Sequence, residues 1–192
     1  MKNTIVIAEA GVNHNGDLLL AKQLIKVAAE AGANYIKFQS FEADKLSTRF
    51  ADCAIYQKEN TSYNKNQLDM LRALELKKED HYTLIKECKQ YGIGFLSSAF
   101  DIEGIKFLKK LNIDYLKIPS GEITNLPYLK IAANFGKPII MSTGMSSLLE
   151  IEEALSILYK FGCKSINILH CTTEYPAPKE LVNLNFINTL KN

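Results

Sequence analysis

Six short apolar runs, separated by turns and amphipathic helices, constrain this chain more than any other feature. Strands are predicted at Ile5–Ala10, Tyr35–Phe41, Ile93–Phe100, Tyr115–Glu122 and Pro138–Gly144, with a sixth inside Ser165–Pro176. Helices are predicted at Leu18–Ala31, near Leu68–Leu76, at Glu79–Tyr91, Asp101–Leu111 and Leu126–Phe135, from Ser147 to Phe161, and from Leu184 to the last residue, Asn192. In Leu18–Ala31 the spacing assigns Leu20, Leu24, Val27 and Ala31 to the apolar stripe, with Lys22, Lys26 and Glu30 opposite. Gly32 and Gly136 stop their helices, Asp101 is an N-cap, and Ser147 with Glu150 forms a capping box. A long polar insertion, Glu42 to Gln67, interrupts the rhythm once. Strands alternating with such helices form βαβ units and a parallel sheet.

A doubly wound open sheet gathers its functional groups at one switch point, whereas a (β/α)8 barrel spreads them over the ends of many strands. Here polar residues close every run: Glu9; Lys37 and Gln39; Ser97 and Ser98; Lys117, Ser120 and Glu122; Ser142 and Thr143; His170 and Thr172. No GxGxxG follows the first strand. The expected fold is therefore α/β, of the (β/α)8 TIM-barrel type. Such a barrel needs eight units and about 250 residues. The 192 residues supply six, so residues 1–192 are expected to form one truncated barrel domain.

With 47% hydrophobic residues, 23% charged residues and a net charge of +2, the chain has a soluble globule's composition. That charge is too small to argue for a nucleic-acid or anionic-membrane partner, neither of which is expected, and no apolar run has the roughly 18–20 residues of a membrane span. The N-terminus lacks a signal peptide's cleavage region, and Cys53, Cys88, Cys163 and Cys171 include no CxxC pair. Free thiols in a reducing cytoplasm follow.

Lys37 and Lys117 lie inside apolar strands, where lysine is depleted and rarely buried unpaired. Either each points outward between helices, or both bind an anion in the barrel mouth. Ser98, Ser120, Ser142 and Thr143 would then add hydroxyls, and the turns "PSG" and "STG" would add backbone N–H groups. Glu9 and Glu122 would hold a sugar hydroxyl, pair with a lysine or move a proton, with Glu9 the more deeply buried of the two. His14 and His170 are expected to be structural rather than metal ligands, and His81 to lie on the surface. Tyr175, stiffened by Pro176 and Pro178, would either pack on a sugar ring or cover its own loop.

The segments "IAEAGVNHNGD", "IKFQSF", "FLSSAF", "LKIPSGEITNLPYL", "GKPIIMSTGM" and "LHCTTEYPAP", in that order, resemble the sialic acid synthase family. That family includes N-acetylneuraminate synthase and the legionaminate and pseudaminate synthases. The resemblance implies a (β/α)8 catalytic domain that condenses phosphoenolpyruvate with an N-acetylated mannosamine-type sugar, giving a nine-carbon 2-keto acid and phosphate. It further implies a divalent metal, manganese or magnesium, and a homodimer in the full-length enzyme. Carried over by motif, Lys37, Ser98, Lys117, Ser120 and Ser142 would hold phosphoenolpyruvate, Gln39 and Tyr175 would touch the sugar, and Glu9 would be the acid/base candidate at the reacting centre. Thr173 stands where many relatives have Asn, and Asn60, Asn64 and Asn66 compete for a family asparagine. The family's metal-binding histidines, in "SDH" and "ERH" motifs, and its antifreeze-like C-terminal domain are expected beyond residue 192. This piece alone is therefore expected to be nearly inactive. Competing readings are a Schiff-base aldolase using Lys37 or Lys117, and a non-catalytic ligand-binding fragment.

Overall fold

The computed structural model describes residues 4–52 and 66–191. Its strands are β1 (Ile7–Gly11), β2 (Tyr35–Ser40), β3 (Gly94–Ala99), β4 (Leu116–Ile118), β5 (Ile139–Ser142) and β6 (Ile166–Leu169). The helices are α1 (Leu18–Glu30), α2 (Ala43–Leu46), α3 (Gln67–Leu74), α4 (Lys78–Gln90), α5 (Ile102–Lys110), α6 (Leu126–Ala133), α7 (Leu148–Lys160) and α8 (Phe186–Thr189). All strand pairs are parallel and the spatial order is β1-β2-β3-β4-β5-β6. Each strand lies beside its sequence neighbour, so there is no point at which the winding reverses, as a doubly wound sheet would require. The sheet curls into a half-barrel with helices outside it.

Local chemistry fixes the element ends. The Asp17 carboxylate accepts from Leu19 N–H at 2.7 Å and starts α1, while Asp101 accepts from Gly104 N–H at 2.6 Å and starts α5. The expected capping box is present at α7: Ser147 N–H donates to Glu150 at 2.7 Å and Glu150 N–H donates to Ser147 Oγ at 3.3 Å. Asn66 accepts from Asp69 N–H at the start of α3, whereas Cys53, Asn60 and Asn64 lie outside the described residues. Two of the expected element boundaries need correction. β4 ends at Ile118, because Pro119 has no N–H to continue the ladder, and Ser120–Glu122 turns into a 3-10 helix. The last helical segment is only Phe186–Thr189.

Side-chain alternation gives the curled sheet two chemistries. Ile36, Phe38, Phe95, Ala99, Leu116, Ile118, Ile139 and Met141 point outward into one hydrophobic cluster with Ile25, Leu84, Ile105, Leu108, Tyr128 and Leu158 from the helices. In α1 the buried stripe is Ala21, Ile25 and Ala28, not the expected line through Leu20 and Val27, and Val27 is 61% exposed. The helix turns its small residues to the sheet, which lets the backbones approach closely, and leaves larger side chains at the rim. Inside the barrel's N-terminal end, the Tyr35 ring meets Tyr115 edge-on at 5.5 Å and donates to Asp114 at 3.1 Å.

Gly94 is required by that ring, since a Cβ there would fall 2.2 Å from Tyr35 Cδ1. Gly94→Ala is expected to destabilise the fold by about 1–3 kcal/mol through overpacking, read by urea unfolding. Tyr35→Ala in the same chain should relieve part of that loss, which a double-mutant cycle would measure.

Candidate functional site

The other set of alternating residues lines the inner face. Register aligns Glu9 with Lys37, Gln39 with Ser98, and Ser98 with Lys117. Lys117 is in turn level with Ile140, and Ser142 with Leu169. Three neighbouring strands therefore bring Gln39, Ser98 and Lys117 to one height near the C-terminal end, where barrel folds carry their chemistry, with Lys37 one inward-facing position lower on β2, level with Leu96 and Glu9. Neither lysine points outward between the helices.

Lys37 grips both oxygens of Glu9, at 2.9 Å to Oε1 and 2.7 Å to Oε2. The Glu9 side chain is 51% exposed, so the expected buried carboxylate is instead a rim group that reaches Lys37 from β1. Glu9 and Gln39 flank Gly11, whose added Cβ would lie 3.2 Å from Glu9 Oε1 and 3.9 Å from Gln39 Nε2. Lys117 is only 6% exposed and donates to its neighbour's carbonyl, Ile118 O, at 3.0 Å. Burial, followed by the positive charge of Lys37, pushes its pKa down to about 8, while Cys171 and Glu9 oppose that shift. Among the described residues no carboxylate forms an ion pair with Lys117. The inner face thus holds two ammonium groups within electrostatic reach of each other and one rim carboxylate.

Hydroxyls gather at the ends of β3, β4 and β5. Ser98, Ser142 and Thr143 are buried, and Thr143 Oγ1 donates to Leu169 O at 2.9 Å. Ser120 Oγ accepts from Gly144 N–H at 2.9 Å, which ties the turn after β4 to the turn after β5. Gly144 must be glycine for this approach: a Cβ would sit 2.5 Å from Thr173 Cγ2, 3.1 Å from Ser120 Oγ and 3.6 Å from Cys171 Cβ. Thr173 and Cys171, both beyond β6, are thereby brought against Ser120.

Other candidates take different positions. Glu122 accepts from Asn125 Nδ2 at 2.7 Å at the entrance to α6, rather than pairing with a lysine. Tyr175 is 63% exposed on the loop after β6, with a cis peptide to Pro176. His170 Nε2 donates to Val182 O at 2.7 Å and its ring lies on Phe186, so it fastens the C-terminal segment. His14 is fully buried; its Nδ1 accepts from Gly16 N–H at 3.0 Å, and burial lowers its pKa. His81 contradicts its expected surface position, being 1% exposed and bonded to Ser40. Ser97, grouped above with Ser98, faces the helices and joins Ser40 at 2.6 Å. Two residues escaped sequence reading. Cys171 carries no pattern of its own, and His81 follows a run of charged helix residues that suggests exposure.

A divalent metal does not fit the described donor set. No three His, Cys, Asp or Glu side chains among the described residues are placed to hold one, and the ring nitrogens of His81 and Nε2 of His170 are already hydrogen-bonded. Among the described residues no helix is long and apolar enough to cross a membrane.

Known proteins are similar to this chain over nearly its whole length. The model of the NeuB family matches residues 24–192. N,N'-diacetyllegionaminic acid synthase from Campylobacter jejuni is 53% identical over 193 aligned residues, covering 100% of this chain and 58% of that protein. The enzyme of the same name from Legionella pneumophila is 48% identical over 96% of this chain and 53% of its own length. The crystal structure of an N-acetylneuraminic acid (sialic acid) synthetase from Leptospira borgpetersenii, in complex with citrate, superposes with a TM-score of 0.84 at 36% identity. The match covers 99% of this chain and 61% of that one. The chain spans little more than half the length of these curated relatives. With the family model matching most of its residues, this half-barrel belongs to the NeuB family.

Proposed function

We propose that this chain supplies the phosphoenolpyruvate site of a nonulosonate synthase, an enzyme that joins that three-carbon acid to an N-acetylated mannosamine-type sugar and releases phosphate. The observation that carries this reading is Lys117, a buried ammonium with no carboxylate partner among the described residues, level with Ser98 and within the field of Lys37. A buried cation without a counter-charge is costly unless a ligand supplies one. A small molecule bearing both carboxylate and phosphate meets two ammonium groups and a ring of hydroxyls with matching charge.

In the proposed reaction, carbon 3 of phosphoenolpyruvate attacks the aldehyde carbon of the open-chain sugar, and the carbonyl oxygen takes up a proton. Water adds to the cationic carbon 2 and loses a proton, the bond from carbon 2 to the phosphate oxygen breaks, and a 2-keto acid remains. Lys37 and Lys117 hold the anionic groups throughout, aided by Ser98, Ser120 and Ser142, so that positioning and fixed charge do most of the work. Glu9, half exposed and bonded to Lys37, would exchange a proton with the incoming sugar. Gln39 beside it, with Thr173, Glu122 and Tyr175 around the mouth, would bind the sugar. A divalent metal, manganese or magnesium, is proposed for the full-length enzyme, held by residues other than those described. The names of the 53% and 48% identical relatives favour an acceptor with a second acetamido group over plain N-acetylmannosamine. A homodimer is proposed for the full-length enzyme.

One observation favours a second reading. A lysine with a depressed pKa is what Schiff-base chemistry needs, and Lys117 has one. Borohydride trapping with pyruvate separates the two: a covalent adduct at Lys117 supports the aldolase and overturns the synthase.

Three outcomes are expected. By titration calorimetry, Lys117→Met should weaken phosphoenolpyruvate binding on the order of a hundredfold, because it removes a charge-assisted contact in a desolvated site. Glu9→Gln should lower kcat by about a hundredfold or more with a smaller change in phosphoenolpyruvate KM, as loss of an acid/base group does. The pH dependence has a definite sign. Lys117 titrates near 8 in the folded chain and at its ordinary 10.5 when unfolded, so between those values the unfolded state binds more protons. Stability of the ligand-free protein should rise from this group as pH goes from 8 to 10.5, while phosphoenolpyruvate affinity falls above pH 8. Calorimetry at pH 8.5 in buffers of different ionisation enthalpy should show proton uptake on binding.

A further inference from the structure

The outer side of β2 and β3 carries a buried polar chain that the reaction above does not use. His81, on α4, is 1% exposed; its Nδ1 lies 2.9 Å from Lys77 O and its Nε2 lies 2.7 Å from Ser40 Oγ. Ser40 Oγ is in turn 2.6 Å from Ser97 Oγ, and both serines are buried. The carbonyl of Lys77 can only accept, so Nδ1 carries the proton and Nε2 accepts. Ser40 therefore donates to His81, leaving its oxygen to accept from Ser97. Every hydroxyl proton has one destination. The ring itself is held edge-on by Phe107 at 5.2 Å and Phe95 at 6.2 Å.

The position of this chain gives it meaning. Ser40 follows Gln39 directly and Ser97 precedes Ser98, and Gln39 and Ser98 are register partners. Because strand side chains alternate, Gln39 and Ser98 face the barrel interior from the same stretch of backbone whose other face is tied by the serines. Ser98 is level with Lys117. The other ties across this pair among the described residues are the ladder bonds, which fix register, and the ring contacts Phe38–Phe95 and Phe41–Phe100, which are not directional as a hydrogen bond is.

We infer that His81, acting through Ser40 and Ser97, is a positioning residue for the phosphoenolpyruvate site. The relay anchors the C-terminal ends of β2 and β3 to α4 and so fixes the height and rotation of Gln39 and Ser98 against Lys117. This inference rests on the reading of the inner face as that site. A displacement well under 1 Å at such a strand end is enough to cost a bound anion one of its hydrogen bonds.

The test compares Ser40→Ala, Ser97→Ala, His81→Leu and His81→Gln in the full-length protein with Ile25→Val, a core change in α1 that touches no part of the relay. Phosphoenolpyruvate affinity by calorimetry is expected to fall about tenfold in the two serine variants and in His81→Leu, and to be partly recovered in His81→Gln, whose amide oxygen can accept from Ser40. Ile25→Val should lower Tm without changing affinity. In the ligand-free protein, amide hydrogen exchange at Gln39 and Ser98 should quicken in Ser97→Ala and stay unchanged in Ile25→Val. Serine variants that lose Tm but keep wild-type affinity and wild-type exchange at those two amides would overturn the inference, leaving the relay as packing alone. The serine variants decide the matter even where His81→Leu does not fold. Wild-type protein that fails to bind phosphoenolpyruvate sinks the proposed function instead, while the exchange measurement still reads the relay.

Discussion

The repulsion between two lysines sets the terms for everything around it. Lys117 is forced out of water by the curl of the sheet, and the Lys37 charge is added on the same face. Two like charges at reduced dielectric oppose folding unless something answers them. Glu9 answers Lys37 from the rim, half in solvent and so only partly compensating. Lys117 is left with one carbonyl contact. The site is thus held in a state that an incoming anion relieves, and the energetic cost is borne by the apolar layer on the other side of the same strands.

That layer is extensive enough to bear it. Ile36, Phe38, Phe95, Leu116, Ile118, Ile139 and Met141 are buried against helices that contribute their own apolar stripes, so the sheet separates an apolar exterior from an inner face on which β1, β2 and β4 carry Glu9, Lys37 and Lys117. Phe38 and Phe95 stack at 5.6 Å across β2 and β3 directly beneath the relay of His81, Ser40 and Ser97. Directional bonds and stacked rings together make this strand pair a stiff part of the half-barrel's mouth. The turn after β5, by contrast, is positioned by absence of bulk: Gly144 lets Ser120, Cys171 and Thr173 converge.

Much of this was legible in the sequence because the period of the apolar pattern is a local property. The parallel half-barrel, the capping residues Asp101 and Ser147, and the presence of Lys37, Gln39, Ser98 and Lys117 at strand ends all follow from spacing and residue type. The errors fall where burial depends on what packs from elsewhere. Glu9 looks buried in an apolar run yet lies on a rim, because β1 is an outer strand among the described residues. His81 looks exposed among charged helix residues, yet it faces β2 and β3. Val27 fits the apolar stripe of α1 yet points to solvent, since Ala21, Ile25 and Ala28 allow closer packing.

By itself the sequence determined the order of elements, which residues alternate with which, and the six motifs that mark the family, because each of these is carried by neighbours along one chain. Only the tertiary structure decided which alternate set faces inward, that Lys37 and Lys117 share one field, that Cys171 and Thr173 arrive beside Ser120, and that a histidine outside the sheet joins the serines adjacent to Gln39 and Ser98. Those facts depend on strand register and sheet curvature, which bring together residues dozens of positions apart and which no local pattern encodes.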